Sequence, residues 1–361
     1  MASADRIIDS DGHIVEEEAA IAEHLPSPYR ESGWHLRRAI FPPLDHLHTE
    51  PVRYLPGAFQ QAGPAEWLDF LQDIGIERTV LYPTAGLAYG NINNRPWATA
   101  VAQAYNDWLH ERYLERSPRF QGMALIPLQD PEAAVEELRR AVEKLGMVGA
   151  MLPSNGLSQP LGSKQYWPVY EEAERLGCSL AVHGGSHFRF GIDQMDVYPG
   201  VPSIGHPLGL IISITSMVLN GIFDKFPNLR VAYLEGGVAW LALILERLDR
   251  VYDTHIPYDP RREFVQLAGG EHVGDYIIQR MKTGKMFIGC EGDEPMISSM
   301  IKLVGSEPFL FSSDFPHEVN TEMCRHEIEE LLENPDLTAA DKDAILYRNA
   351  QRFYAFTSVA A

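Results

Sequence analysis

The clearest candidates for chemistry lie near the N-terminus, where a short apolar segment ends in acidic and imidazole side chains. The sequence RIIDSDGH occupies residues 6–13. Asp11 and His13 are two residues apart, so on an extended backbone both side chains leave from the same face. An oxygen ligand and a nitrogen ligand on one face form half of a metal site. On its own, however, the segment favours a turn capped by Asp11, with His13 at the surface.

Three later apolar segments end in residues of the same kinds. CSLAVH ends at His183, NLRVAYLE ends at Glu235, and PFLFSS is followed directly by Asp314. A buried carboxylate or imidazole is costly unless it is paired or binds a metal. Any one of these residues could have a purely structural role. As a set they provide nitrogen and oxygen ligands suited to zinc, manganese or ferrous iron.

Four more residues near these segment ends are candidates for a substrate pocket. His187 and His206 follow the segment that ends in His183, Glu291 follows the apolar run MFIGC, and His317 lies three residues after Asp314. Each histidine alone is more often a hydrogen-bonded structural residue, and Glu291 is equally open to a structural reading. We therefore treat all four as tentative pocket residues.

The elements that must position these residues alternate between strand and helix patterns. Eight apolar strand segments, nearly all followed by a helix, predict a parallel sheet closed into a (β/α)8 TIM barrel, in which the carboxyl ends of the strands share one face. The predicted strands are 6–13, 78–82, 120–128, 147–152, 178–183, 228–235, 286–290 and 308–313. The predicted helices are 65–74, 97–116, 131–145, 166–176, 208–220, 237–252, 261–267, 272–280, 293–304, 321–333 and 338–356.

The chain is predicted to form one domain, residues 1–361, with long insertions after strands 1 and 5. Residues 14–64 lack a regular hydrophobic period and would lie on the catalytic face. Their aromatic and basic side chains suit a lid as well as a structural excursion packed on the barrel rim. Those side chains are Trp34, Arg37, Arg38, Phe41, Tyr54 and Phe59. Residues 320–361 are predicted to be C-terminal helices.

Composition narrows the classes of partner. The formal net charge of −20 argues against nucleic acid and against an anionic membrane surface. The 3 cysteines are scattered without the spacing of a zinc knuckle, which suits a reducing compartment. We see neither a signal-peptide core nor an apolar run as long as a membrane span, and expect a cytoplasmic protein. Phosphate-loop and serine-nucleophile motifs are also absent from the sequence.

Four motifs together resemble a known family. They are similar to motifs of the amidohydrolase-related metal enzymes. The four are DSDGH at 9–13, the strand-final His183, SSDFPH at 312–317 and RNAQRFY at 348–354. The closest similarity is to the branch around aminocarboxymuconate-semialdehyde decarboxylase and the benzoate-type decarboxylases. The resemblance implies a homodimer that acts on a small molecule. It also implies one divalent ion, with zinc expected first and manganese or iron as alternatives, on the ligands Asp11, His13, His183 and Asp314.

This chain departs from the family at two positions. Members commonly have histidine or glutamate where Asp11 stands, and the change keeps a ligand atom. Decarboxylase members typically have a histidine near the end of strand 6 that helps to move a proton, whereas this chain has LEGG at 234–237. Glu235 could bind metal, act as an acid or base, or hold a substrate amine or hydroxyl.

The leading expectation is hydrolysis. A metal-bound water would attack an amide, lactone or similar acyl carbon of a small, aromatic or unsaturated molecule. Asp314 would accept the proton, Glu235 would be a second acid/base or a substrate anchor, and His187 is a further catalytic candidate. The alternative is non-oxidative decarboxylation of an aromatic or unsaturated carboxylic acid. Metal-assisted cyclisation or addition–elimination, and a barrel that only binds a ligand or partner protein, stay open.

Overall fold

Parallel strands and helices alternate along the chain from the first strand to the last. The computed structural model describes residues 6–33, 36–47, 58–255, 260 and 264–356. The strands form one eight-stranded sheet in sequence order, with every neighbouring pair parallel. They are β1 (Ile8–Ile14), β2 (Arg78–Pro83), β3 (Phe120–Leu125), β4 (Gly149–Pro153), β5 (Ser179–His183), β6 (Arg230–Leu234), β7 (Met286–Cys290) and β8 (Phe309–Phe311).

Backbone hydrogen bonds join the chain just after β8 to β1. The amide of Asp314 donates to the carbonyl of Asp11 at 3.0 Å, and the amide of His13 donates to the carbonyl of Phe315 at 2.7 Å. The sheet therefore curls round on itself, and the predicted (β/α)8 barrel is confirmed. Closure also brings residues about 300 positions apart into contact at the carboxyl ends of the strands.

The helices form the outer layer and bury their apolar sides against the strands. They are α1 (Glu18–Glu23), α2 (Pro64–Ile74), α3 (Arg95–Leu109), α4 (Pro131–Leu145), α5 (Trp167–Leu176), α6 (Gly200–Leu219), α7 (Ile222–Lys225), α8 (Ala239–His255), α9 (Val273–Lys282), α10 (Ile297–Val304), α11 (Thr321–Glu333), α12 (Ala339–Asp343) and α13 (Asn349–Tyr354). Helix α4 follows the sequence signals closely. Asp130 caps it, Pro131 begins it, and Gly146 ends it in a left-handed conformation.

The structure differs from the predicted helices at several ends. Helix α6 begins at Gly200, eight residues before the predicted start, because Pro207 lies inside the helix rather than at its first turn. The predicted segment 293–304 is helical only from Ile297. A π-helical turn, Ala344–Arg348, separates α12 from α13. Residues 264–267 are not helical, and residues 261–263 of that predicted helix lie outside the described residues.

Helix α6 has an unusually apolar composition. Among the described helices it alone meets the length and composition criteria for a membrane span, with a mean hydropathy of 1.4. The prediction that no apolar run reaches this length therefore needs correction. The helix packs against β5, β6 and α8. Buried core helices meet the same criteria, so the finding is weak evidence for a membrane span.

The described parts of the 14–64 insertion reach the catalytic face. The amide of Phe59 donates to the carbonyls of Pro316 and His317, and the carbonyl of Leu44 accepts from the amide of His187. Phe41 is buried, whereas Arg37 and Arg38 are exposed. Trp34 and Tyr54 lie outside the described residues. The insertion therefore contacts the loops after β5 and β8, and its function as a lid stays a prediction.

Candidate metal centre

Four side chains from three strand ends converge inside the barrel mouth. The Asp11 Oδ1 atom lies 3.0 Å from His183 Nε2 and 3.4 Å from His13 Nε2. His13 Nε2 in turn lies 3.5 Å from Asp314 Oδ1. Asp11, His13 and His183 are almost completely buried. The structure therefore brings together the four residues that the sequence suggested as metal ligands.

The backbone of β1 is irregular where it presents its two ligands. The register with β2 shifts between Asp9 and Gly12. A Cβ atom at position 12 would collide with Trp67 and Thr79, so only glycine fits there. The sequence did not predict this irregularity, which spans Asp11 and ends next to His13.

The hydrogen bonds of the two histidines direct the same ring atom into the site. His13 Nδ1 lies 2.8 Å from the carbonyl of Pro83, and His183 Nδ1 lies 3.0 Å from the carbonyl of Gly184. A neutral ring that donates from Nδ1 keeps a lone pair on Nε2, which is how metal-binding histidines are commonly oriented. The Nε2 atom of His13 is buried without a hydrogen-bond partner among the described residues, as is Asp314 Oδ1. These donors and unpartnered atoms fit a divalent ion.

The charges in the site are strongly perturbed. Although burial opposes its ionisation, the neighbouring His183 and His13 hold the pKa of Asp11 well below its usual range. Burial and the charge of Asp11 raise the pKa of Asp314 to about 7. Burial and the nearby His317 lower the pKa of His13. A divalent cation among these groups would favour the deprotonated carboxylates and neutral imidazoles that metal binding requires.

His317, which the sequence suggested as a pocket residue, contacts two of the metal ligands directly. Its ring stacks on His13 with centroids 4.0 Å apart, and its Nδ1 lies 2.8 Å from Asp314 Oδ1. Its Nε2 lies 2.8 Å from the hydroxyl oxygen of Thr84. His13, Asp314 and His317 form a second group with metal-binding spacing, beside Asp11, His13 and His183. Thr84 had no signal in the sequence, because it follows β2 without a recognisable motif.

Glu235 and His206 lie next to the ligand set. Glu235 Oε2 is 3.2 Å from His183 Nδ1 but makes no hydrogen bond, and its Oε1 is 3.7 Å from His206 Nε2. Burial, Asp314 and Asp11 raise the pKa of Glu235 well above its usual value. Glu235 and Asp314 both hold left-handed backbone conformations, with φ of 60° and 52°. Such strain in non-glycine residues is common at functional sites.

His187 takes a different place from the one predicted. Its Nδ1 lies 3.5 Å from Asp45 Oδ2 of the insertion, and its ring contacts His206 edge-on at 4.6 Å. It is not among the described residues that line the cavity beside the metal ligands. The reason is that its amide is tied to the carbonyl of Leu44, which holds this part of the loop against the insertion. The catalytic role of His187 stays a prediction.

A cavity of about 470 Å³ opens from the ligands. It is lined by Tyr198, Pro199, Pro202, Ser203, His206, Pro207, Glu235, Gly236, Gly237, Glu291, Asp314 and Glu318. Glu291 and His206 thus lie in the pocket, as the sequence suggested. Burial and then Asp314 raise the pKa of Glu291 to about 7, and the same two causes raise the pKa of Glu318. Glu318 was missed, although it directly follows the SSDFPH run.

The similarity to known proteins agrees with this architecture. The sequence profile described as "Amidohydrolase" matches residues 8–356. The chain belongs to the amidohydrolase family. It is an enzyme of the amidohydrolase superfamily, and the predicted family resemblance is confirmed.

The relatives of this amidohydrolase include several decarboxylases. The gamma-resorcylate decarboxylase of Rhodococcus jostii is 29% identical over 75% of this chain and 84% of its own. The 2-amino-3-carboxymuconate-6-semialdehyde decarboxylase of Dictyostelium discoideum is 26% identical over 71% of this chain and 67% of its own. The fold is shared with the crystal structure of 5-carboxyvanillate decarboxylase from Novosphingobium aromaticivorans, which contains manganese and a nitrobenzoic acid. The TM-score is 0.71 at 17% sequence identity, and the match covers 97% of this chain and 96% of that one.

Proposed function

We propose that this amidohydrolase is a metal-dependent, non-oxidative decarboxylase of an aromatic or related unsaturated carboxylic acid. The observation that carries the proposal is the set Asp11, His13, His183 and Asp314, which opens on a cavity beside the unpartnered carboxyl oxygen of Glu235. Hydrolysis was the leading expectation from the sequence. The decarboxylases among the relatives support the stated alternative better.

The chain supplies a complete ligand set for the ion. His13 and His183 would contribute Nε2 atoms, and Asp11 and Asp314 would contribute carboxylate oxygens. A bound divalent ion would supply positive charge that holds and polarises the substrate's carboxylate. Manganese is our first choice, since it is the ion in structurally similar decarboxylases and accepts mixed oxygen and nitrogen ligands.

Glu235 is the proposed proton donor. Decarboxylation breaks the bond between the ring carbon and the carboxylate, releases carbon dioxide and leaves the bonding electron pair on the carbon. A proton must then reach that carbon from a group in the cavity. Glu235 occupies the place where decarboxylases of the family have a histidine, and it lines the cavity next to His183. His206, 3.7 Å from its other oxygen, would return the proton from solvent.

Turnover with the glutamine variant tests this function. Manganese-loaded protein incubated with hydroxybenzoates should release carbon dioxide, and in D2O the product should carry deuterium at the vacated carbon. Glu235→Gln should lower kcat by about 100-fold or more, because an amide cannot donate the proton, while metal content stays the same. Glu246→Gln, an exposed carboxylate on α8, is the matched control and should keep full activity.

Two outcomes would contradict the proposal. Cleavage of esters, lactones or amides without carbon dioxide release would restore hydrolysis as the function. If Glu235→Gln released carbon dioxide at the wild-type rate, the decarboxylase function would stand, but Glu235 would not be its proton donor.

A further inference from the structure

We propose that this cavity selects acids with a single carboxylate whose other substituents are hydroxyl or amino groups, and rejects a second carboxylate. The selection would be made by Glu291 and Glu318. The inference rests on the proposed function, because it assumes that the first carboxylate is held at the metal ligands.

Two further carboxylates outside the ligand set line this cavity. Glu291 follows β7 and Glu318 lies in the loop after β8, and both are solvent-accessible residues that line the same space as Glu235 and Asp314. Neither Glu291 nor Glu318 forms an ion pair with another described residue. The described lining residues include neither lysine nor arginine. The described part of the lining therefore offers no positive side chain to pair with an incoming anion.

This distribution of charge should affect the two carboxylates of a dicarboxylic acid differently. One carboxylate can be neutralised by a divalent ion held beside Asp314. A second carboxylate elsewhere in the cavity would lie near Glu291 or Glu318, and like charges in a partly desolvated space repel strongly. Glu235 and Asp314 add two more carboxyl groups to the same space.

Hydroxyl and amino substituents should instead be attracted to Glu291 and Glu318. Both groups donate hydrogen bonds, and carboxylate oxygens accept them. The remaining lining suits a flat ring, since Pro199, Pro202 and Pro207 provide an apolar surface. A ring with one carboxylate at the ion can thus pack against the prolines and donate a hydrogen bond from its hydroxyl to Glu291 or Glu318.

Calorimetric binding to manganese-loaded protein tests the selection without requiring turnover. The probes are 3-hydroxybenzoate and benzene-1,3-dicarboxylate, which differ only in one ring substituent. The wild type should bind the dicarboxylate at least about tenfold more weakly. The double variant Glu291→Gln/Glu318→Gln should improve dicarboxylate binding at least fivefold and change hydroxybenzoate binding by less than about threefold, because a glutamine carbonyl still accepts the phenol proton. Glu329→Gln, an exposed residue of α11, should alter neither affinity.

The possible results separate this inference from the function beneath it. Equal or tighter binding of the dicarboxylate by the wild type would overturn the selection. An unchanged preference in the double variant would overturn the assignment to Glu291 and Glu318. If neither acid binds while manganese stays bound, the proposed function fails and the selection fails with it. Selective binding without carbon dioxide release would contradict only the decarboxylase function.

Discussion

Glu235 and Asp314 show how much of the site is decided by single backbone conformations. Both are non-glycine residues with φ above 50°, a conformation that costs on the order of 1–2 kcal/mol. The sequence identified both residues because each directly follows an apolar strand. It could not identify their left-handed geometry, since nothing in the LEGG or SSDFPH runs distinguishes it from an ordinary turn. That geometry turns the chain immediately after β6 and three residues after β8.

Asp9 organises the two neighbouring metal-ligand segments although it is not a ligand. Its carboxylate accepts hydrogen bonds from the hydroxyl of Thr79 at 2.6 Å and from the amide and hydroxyl of Ser313 at 2.9 and 3.0 Å. It thereby ties β1 to β2 and to the residue before Asp314. Asp9 had no recognisable signal in the sequence, because its partners are 70 and 304 positions away.

Asp9→Asn should weaken both the fold and the metal site. Asparagine keeps one accepting oxygen, but its NH2 group cannot accept the hydrogen bonds made to the second carboxylate oxygen, so we expect the free energy of unfolding to fall by about 1–3 kcal/mol. Manganese affinity should fall by about tenfold, because residues that hold ligands in place tune metal binding. Chemical denaturation and metal titration measure the two effects. Asp69→Asn, exposed on α2, should change neither, and equal metal affinity in both variants would refute the organising role of Asp9.

Among the elements, those with strong local signals were predictable and those shaped by packing were not. Helices α4 and α11 agree with their predicted bounds because a capping side chain begins each of them. The early start of α6 could not be inferred, since a proline inside a helix is tolerated only where the surrounding barrel supports it. The described part of the 14–64 insertion was the least predictable, because it contacts distant loops and lacks a hydrophobic period.

The packing of α11 against the loop after β7 makes stability depend on pH. Glu327 is 7% exposed, and its Oε2 has no hydrogen-bond partner among the described residues. Burial and the nearby Glu291 raise its pKa to about 8. In the unfolded chain this carboxyl ionises near pH 4.5, whereas in the folded protein it keeps its proton to about pH 8. The wild type should therefore lose stability as the pH rises between these values.

Glu327→Gln removes this titration and keeps the shape of the side chain. Relative to the wild type, the variant should gain on the order of 3–4 kcal/mol in free energy of unfolding between pH 5 and pH 8. Denaturation curves at both pH values measure the difference. Glu329→Gln, two residues away and exposed, should follow the wild-type dependence. A constant difference between the Glu327 variant and the wild type at both pH values would show that Glu327 does not titrate in this range.

At the scale of the whole molecule, the barrel topology was enough to predict where most of the metal-ligand candidates lie. Once eight alternating units were recognised, the strand ends bearing Asp11, His183 and Asp314 had to share one face. The stacking of His317 on His13 and the acidic cavity wall depend on side-chain directions in the loops, which a sequence pattern does not specify. The homodimer and the cytoplasmic location stay predictions from the sequence.

The most direct test of the metal centre is the metal content of the purified protein after manganese loading and desalting. Elemental analysis should find close to one divalent ion per chain in the wild type and in His326→Ala, an exposed histidine on α11. His183→Ala should retain less than about a tenth of an ion per chain, because it loses a ligand in the middle of the set. If His183→Ala keeps a full equivalent of metal, the centre formed by Asp11, His13, His183 and Asp314 is wrong.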